Sequence, residues 1–301
     1  VTGRTGYLRV NGADLYSEVI GAGDPLLLLH GGFCSLESLR PHADELAQSF
    51  TVAAFERPGH GRSADVPGPF SYIDGATDAA AYLDGAGIDR AHIVGYSDGA
   101  IIGLLLALRH PERVRSLVAI SGNLDPNAFT WSIDHVRRAG EPVAATAPET
   151  ATGAGTETGA AETKPGEAAE TPTAAPAPAE TGTTAAAEPD RERRLYDALS
   201  PDGPEHAQVV LAKLRELWTT QPQIAPAELA GITAPTLVMS GDRDTIRVDH
   251  SQLIASSIPG ARLCIVPGST HALVDEKPEL VQAVLRDFYA SLGTGPGFAR
   301  R

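Results

Sequence analysis

The chain has 301 residues and a formal net charge of −14, from 38 acidic and 24 basic side chains. That balance, with no cluster of Lys or Arg, argues against nucleic acid, whose binding needs basic side chains that displace counterions from phosphates. The longest apolar runs, PLLLLH and IIGLLLAL, fall short of the ~20 residues that cross a bilayer, so no membrane partner is expected.

With 42% hydrophobic and 21% charged residues, the composition is that of a soluble globular protein. The opening VTGRTGYLRVNGADLY lacks the basic-then-apolar grammar of a signal peptide. Two cysteines, Cys34 and Cys264, cannot build a disulfide framework. Reduced thiols in a cytoplasmic setting are the simpler reading.

In chain order, residues 7–10 and 15–20 alternate around an Asn-Gly turn and predict a hairpin. Short apolar runs follow at residues 26–29, 51–55, 92–96, 114–120, 235–239 and 262–266, mostly separated by segments of helical period. Alternating strands and helices predict an α/β fold, a mostly parallel sheet with helices on both faces. After the strand at 26–29 comes HGGF, a glycine loop whose Phe33 backbone N–H is a candidate oxyanion donor.

The strand at 92–96 runs into GYSDGA, where Ser97 stands between Gly95 and Gly99. A strand, a sharp turn and a helix in that order let the middle residue take a strained positive φ with its hydroxyl above the sheet edge. Ser97 is therefore the candidate nucleophile, and the Asp98 N–H, at the start of the helix, the second candidate oxyanion donor. That helix is apolar nearly all round, so it is expected to be buried, ending at RHPERV where Pro111 forbids continuation.

Residues 123–230 read as a cap insertion in a core formed by 1–122 and 231–301. Within it, NAFTWSIDHVRRAG and PEHAQVVLAKLRELWTT carry apolar residues at helical spacing. Between those two segments, residues 141–189 hold Val143 but no Leu, Ile, Met or aromatic residue, the composition of a disordered linker or an interaction tail.

A serine hydroxyl needs a base, and the base needs an acid to orient it. His271, in GSTHALVDEKPE after the last strand, sits on a loop at the carboxyl edge of the sheet, where sites in open parallel sheets form. For the acid, LVMSGDRD offers Asp242 and Asp244. Asp244 can reach back over the edge, whereas Asp242 lies within the turn and is suited to fixing it. Asp125 is a third option. His30 is also near the edge, but LLLLHGG assigns it another role. No His/Cys cluster has metal-ligand spacing and no dinucleotide glycine motif occurs, so neither a metal nor a cofactor is expected.

The motifs LLLLHGGF, ERPGHGRS, GYSDGA, LVMSGDRD and GSTHALVDEKPE, in that order, resemble the α/β-hydrolase superfamily over nearly the whole chain except the linker. Ser97, Asp244 and His271 fall in that superfamily's order of nucleophile, acid and base, and Phe33 and Asp98 match its oxyanion positions. A serine at the elbow departs from the haloalkane dehalogenase branch, which uses aspartate. Glu56 and Arg57 depart from the usual Asp-based turn. The elbow is similar to those of valacyclovir-hydrolase-like and proline-iminopeptidase-like members, which implies that Asp98 meets a substrate ammonium; capping the helix or pairing elsewhere is the alternative. Gly32, Tyr96 and Trp131 join Asp98 as candidate substrate-binding residues.

The resemblance implies a small-molecule substrate and a serine hydrolase cleaving a small carboxylic ester, with an aminoacyl ester or amide as variants, through an acyl-enzyme. Carbon–carbon bond hydrolysis or cofactor-free perhydrolysis on the same triad is the enzymatic alternative, and a catalytically silent binding protein is the non-enzymatic one.

Overall fold

The computed structural model describes residues 3–130 and 191–294. Eight strands form one sheet: β1 (Arg4–Val10), β2 (Ala13–Gly21), β3 (Asp24–Leu29), β4 (Phe50–Phe55), β5 (Ala91–Tyr96), β6 (Val114–Ile120), β7 (Thr236–Gly241) and β8 (Arg262–Val266). Their spatial order is β1-β2-β4-β3-β5-β6-β7-β8. The β1–β2 hairpin pairs antiparallel at one edge, β2 is antiparallel to β4, and every later pair is parallel. Asn11 and Gly12, at φ 45° and 90°, make the tight hairpin turn.

The apolar run Leu26–Leu29 is explained by burial on both sides, because alternate residues face opposite sides of a strand. Leu26 and Leu28 join Val52, Val94 and Val118 in one layer, under α1 (Arg40–Leu46) and α8 (Pro278–Ser291). Leu27 and Leu29 join Ala53, Ile93 and Leu117 in the other, under α2 (Tyr72–Gly85), α3 (Asp98–Arg109) and α6 (Val248–Ser257). Each buried leucine contributes ~1.5–3 kcal/mol. The helix α3 is buried continuously from Asp98 to Ala107 and ends before Pro111, as its sequence predicts.

Between β6 and β7 the described chain contains α4 (Arg191–Leu199) and α5 (Ala207–Thr220). Tyr196, Val210, Leu214 and Leu217 from these helices enter the same layer as α2 and α3. The period in PEHAQVVLAKLRELWTT predicts α5; α4 was not anticipated, because its mean hydropathy is low and only Tyr196 is buried. Residues 126–128 form a 3-10 turn and Phe129 bridges Ile246, so the helical pattern expected from 127 onward does not begin there. The rest of that expected helix and the 141–189 segment lie outside the described residues. A short helix α7 (Leu273–Glu276) precedes α8. Among the described residues no helix is long and apolar enough to cross a membrane, and Cys34 and Cys264 are free thiols.

Candidate active site

The turn from β5 into α3 places Ser97 at φ 54° and ψ −118°, a conformation that side-chain-bearing residues rarely adopt. The flanking glycines are required by contact. A Cβ on Gly95 would lie 2.2 Å from the Gly99 carbonyl oxygen, and one on Gly99 would lie 2.2 Å from that of Leu29. The Ser97 N–H donates to the Ile120 carbonyl at 2.8 Å, which fixes the strained residue to the neighbouring strand.

His271 and Asp244 arrive from the turns after β8 and β7. His271 Nδ1 is 2.7 Å from Asp244 Oδ1, and its Nε2 is 2.9 Å from Ser97 Oγ. Burial by itself would raise the Asp244 pKa. The hydrogen bonds from His271, the Ile246 N–H and the Ser121 hydroxyl outweigh burial and hold the carboxyl below its ordinary value. Asp244 is thus an acceptor, His271 Nδ1–H donates to it, and the lone pair on Nε2 is left facing the Ser97 hydroxyl. The whole arrangement allows Ser97 to pass its proton to Nε2 as the oxygen attacks an electrophile.

The other acids have separate work. Asp242 accepts from the Ser269 N–H at 3.2 Å, joining the turn after β7 to the loop that bears His271. Asp125 accepts from the Asn127 N–H at 2.8 Å and caps a 3-10 turn. His30 is buried and neutral: its Nε2 accepts from the Arg57 N–H at 3.1 Å, so Nδ1–H donates to the Gly31 carbonyl at 2.8 Å. Glu56 accepts from the Leu36 and Arg62 N–H groups and from the Arg62 guanidinium, stitching a structural loop.

Phe33 follows the loop after β3 and also has a positive φ, 55°. This loop lies against the elbow: a Cβ on Gly31 would be 3.3 Å from Ser97 Cβ. The ring of Phe33 stacks on Tyr196 of α4, centroids 5.1 Å apart. Tyr96 is placed under the base, with its hydroxyl donating to the His271 carbonyl at 2.9 Å. Gly32 faces Asp98 and Trp218 with no room for a Cβ. Trp131 lies outside the described residues.

Asp98 is 2% exposed, and its carboxylate is already engaged. Oδ1 accepts from the Tyr72 hydroxyl at 2.8 Å and from Trp218 Nε1 at 2.9 Å, while Oδ2 accepts from Arg57 Nη2 at 3.2 Å. Burial, then the neighbouring carboxylate, pushes the Tyr72 phenol well above its ordinary value, so it stays a donor. The pairing anticipated as the alternative to ammonium recognition is the arrangement present. Four residues around the site were missed by sequence reasoning: Ser121, whose hydroxyl donates to Asp244 at 2.5 Å, and Arg57, Tyr72 and Trp218. Arg57 stands in the quoted ERPG motif, and Trp218 falls on the apolar stripe of a helix. Neither signal says which carboxylate it will meet.

Among the described residues no group of three His, Cys, Asp or Glu side chains is arranged to hold a metal ion.

The family model described as alpha/beta hydrolase fold matches residues 24–278. A protein of Azorhizobium caulinodans named putative carbamate hydrolase RutD is 30% identical over 292 residues, covering 94% of this chain and 97% of that one. The solved structure of a hydrolase from Pseudomonas aeruginosa PA01 aligns with a TM-score of 0.66 at 24% identity, covering 96% of this chain and 99% of that one. The carboxylesterase CesB of Bacillus subtilis aligns with a TM-score of 0.64 at 20% identity, covering 96% and 92%. The parallel sheet, the elbow serine and these matches carry one conclusion: the chain belongs to the α/β-hydrolase family.

Proposed function

We propose that the protein is a serine hydrolase that cleaves a small carboxylic ester through an acyl-enzyme, with Ser97 as nucleophile, His271 as base and Asp244 as the acid that orients it. The observation that carries the reading is the continuous hydrogen-bonded chain Ser97 Oγ–His271 Nε2 and His271 Nδ1–Asp244 Oδ1, at 2.9 and 2.7 Å.

Ser97 Oγ bonds to the acyl carbon while its proton moves to His271 Nε2, and the carbonyl π electrons become an oxyanion. The backbone N–H groups of Phe33 and Asp98 receive that charge; one such donor is worth ~2.7–4 kcal/mol. The tetrahedral intermediate collapses, the C–O bond to the alcohol breaks, and His271 returns the proton to the leaving oxygen. Water, deprotonated by His271, then releases the acid and restores Ser97. Tyr96 acts as a positioning residue by holding the His271 carbonyl.

The insertion 123–230 interrupts a core of 1–122 and 231–301, and its described helices α4 and α5, which reach Phe33 and Asp98, serve as the cap that selects the substrate. The free thiols of Cys34 and Cys264 suit a reducing, cytoplasmic setting. A carbamate is the second reading, favoured by the full-length similarity to the putative carbamate hydrolase; it offers Ser97 the same kind of carbonyl.

The test is stoichiometric labelling of Ser97 by a fluorophosphonate, with turnover of a panel of short p-nitrophenyl esters, aminoacyl esters and carbamates. Ser97→Ala is expected to lose labelling and several orders of magnitude in kcat while keeping its circular dichroism spectrum. An Ala variant that still turns over normally, or a folded wild type that takes no label, rejects the mechanism.

A further inference from the structure

The carboxylate of Asp98 is a junction between the elbow, the glycine loop and the cap. Asp98 is the first residue of α3, and the N–H assigned to the oxyanion belongs to the same residue. Three donors from three places meet its side chain: Tyr72 at the start of α2, Trp218 near the end of α5, and Arg57 in the loop after β4. The same Arg57 Nη2 that reaches Asp98 Oδ2 also donates to the Gly31 carbonyl at 2.9 Å. One guanidinium therefore spans the two segments that carry the proposed oxyanion donors.

Trp218 closes this junction from the cap side. A Cβ built on Gly32 would lie 2.6 Å from Trp218 Cζ2 and 2.7 Å from Asp98 Oδ2. The Gly32 backbone thus packs directly against the bonded pair of indole and carboxylate, with no room for a side chain. Phe33, the next residue, stacks on Tyr196 of α4 at an interplanar angle of 12°. Farther along α5, Lys213 Nζ donates to both oxygens of Asp65 and His206 Nε2 lies 2.8 Å from one of them, which fixes the helix to the loop between β4 and α2. The Gln221 side chain at the end of α5 accepts from the Tyr72 N–H at 3.3 Å.

A carboxylate beside an anion hole would repel the developing oxyanion if left bare, since like charges a few ångströms apart disfavour each other even through a screening medium. The Arg57 charge and the Tyr72 and Trp218 donors offset that repulsion, and the same bonds hold the loop and the elbow in register. We infer that Trp218 is a positioning residue for the oxyanion hole: its indole N–H and ring hold Asp98 and Gly32 so that α5, a cap helix, completes the site that receives transition-state charge. This rests on the serine-hydrolase reading above.

The mechanism predicts a loss confined to the charged transition state, because nothing in it requires Trp218 to touch the bound ester. In Trp218→Phe the ring against Gly32 is kept and the N–H is lost. With a p-nitrophenyl acetate assay, kcat is expected to fall about 10- to 30-fold, less than the ~10²–10³ seen on deleting an oxyanion donor itself, with KM within twofold of wild type. A trifluoromethyl ketone, which adds Ser97 and forms an oxyanion, should lose affinity by the same factor as kcat/KM. Tyr72→Phe, which removes the other donor to Oδ1, should give the same pattern and decides the matter if Trp218→Phe does not fold. A folded Trp218→Phe, or Tyr72→Phe in its place, with unchanged kcat and ketone affinity, or with a change in KM alone, overturns the inference while fluorophosphonate labelling of wild-type Ser97 leaves the hydrolase reading standing. A folded wild type without labelling removes the hydrolase reading itself, and this inference with it.

Discussion

Replacing His30 by Gln removes a proton-binding group from a site that resists protonation, and the effect on acid stability follows from the structure. His30 is 1% exposed; burial first, and then the Arg57 charge, lower its pKa from 6.5 to about 3, against the opposing bond to the Gly31 carbonyl. The unfolded chain takes up a proton near pH 6.5, whereas the folded chain does so only near 3. The contribution is therefore intact above pH 6.5 and lost as pH falls toward 3. Between pH 8 and pH 5 the loss from His30 alone is about 2 kcal/mol, since each unit of separation is worth ~1.4 kcal/mol. His60, lowered in the same direction by burial and Arg57, adds to it. Burial raises Glu56 and Asp78, which opposes it. Comparing His30→Gln with wild type cancels the Glu56 and Asp78 contributions, while that of His60, whose ring lies 5.1 Å from that of His30 and whose pKa His30 lowers in part, shrinks in the variant and so widens the difference. Urea unfolding followed by circular dichroism at pH 8, 7, 6 and 5 should show wild type losing ~2 kcal/mol more than the variant over this range. Parallel stability curves would refute the reasoning, because they would mean that His30 titrates alike in both states.

Asp244→Asn should lower kcat by ~10⁴ by favouring the wrong His271 tautomer, while Asp242→Asn, read in the same ester assay, should cost less than tenfold. Ser121→Ala removes a hydrogen bond to a buried carboxylate, worth ~1.5–3 kcal/mol, and should lower both the melting temperature and kcat; unchanged values in both would show the contact to be idle. Because the Asp98 carboxylate is already engaged, Asp98→Asn should change kcat/KM for an aminoacyl ester and for a neutral ester of equal size by the same factor. A selective loss on the aminoacyl ester would return the ammonium role to Asp98. Lys213→Met strips Asp65 of its principal cation and should destabilise the protein by ~3–5 kcal/mol in denaturant melts, as expected for breaking a largely buried pair.

The strands were legible because each is a short apolar run with a clear boundary: the run at 114–120 is β6 itself, and that at 262–266 is β8. The elbow was legible for a different reason, since Gly95, Ser97 and Gly99 record a backbone constraint that only small residues satisfy. Asp244 was separable from Asp242 because position within a turn decides reach. What could not be read were contacts between distant elements. Trp218 has the periodicity of a core residue, and the carboxylate it meets lies 120 positions away. Ser121 carries no pattern of its own; it is placed by the end of β6, at φ 55°. The helix α4 was hidden because its charged residues carry no apolar stripe: besides the buried Tyr196 it is held by polar contacts, Arg191 to Asp275 and the Glu37 carbonyl and the Ser38 hydroxyl to Glu192.

Strands β6 and β7 are neighbours in the sheet, paired from Leu117↔Thr236 to Ile120↔Met239, although more than a third of the chain runs between them. Because the two strands are parallel, the sheet pins the ends of the excursion, Ile120 and Thr236, about 11 Å apart: three residues of rise along the strands and one strand spacing across them. For a flexible connection closed this way, doubling the length costs only ~0.6 kcal/mol of additional closure entropy. Segments of very different size can consequently be spliced beyond Ser121, whose hydroxyl holds Asp244, and before Thr236 at little entropic cost to the sheet. An exchange of that segment would leave Ser97, His271 and Asp244 on the sheet frame, but any replacement would have to supply again the contact that Trp218 makes with Asp98.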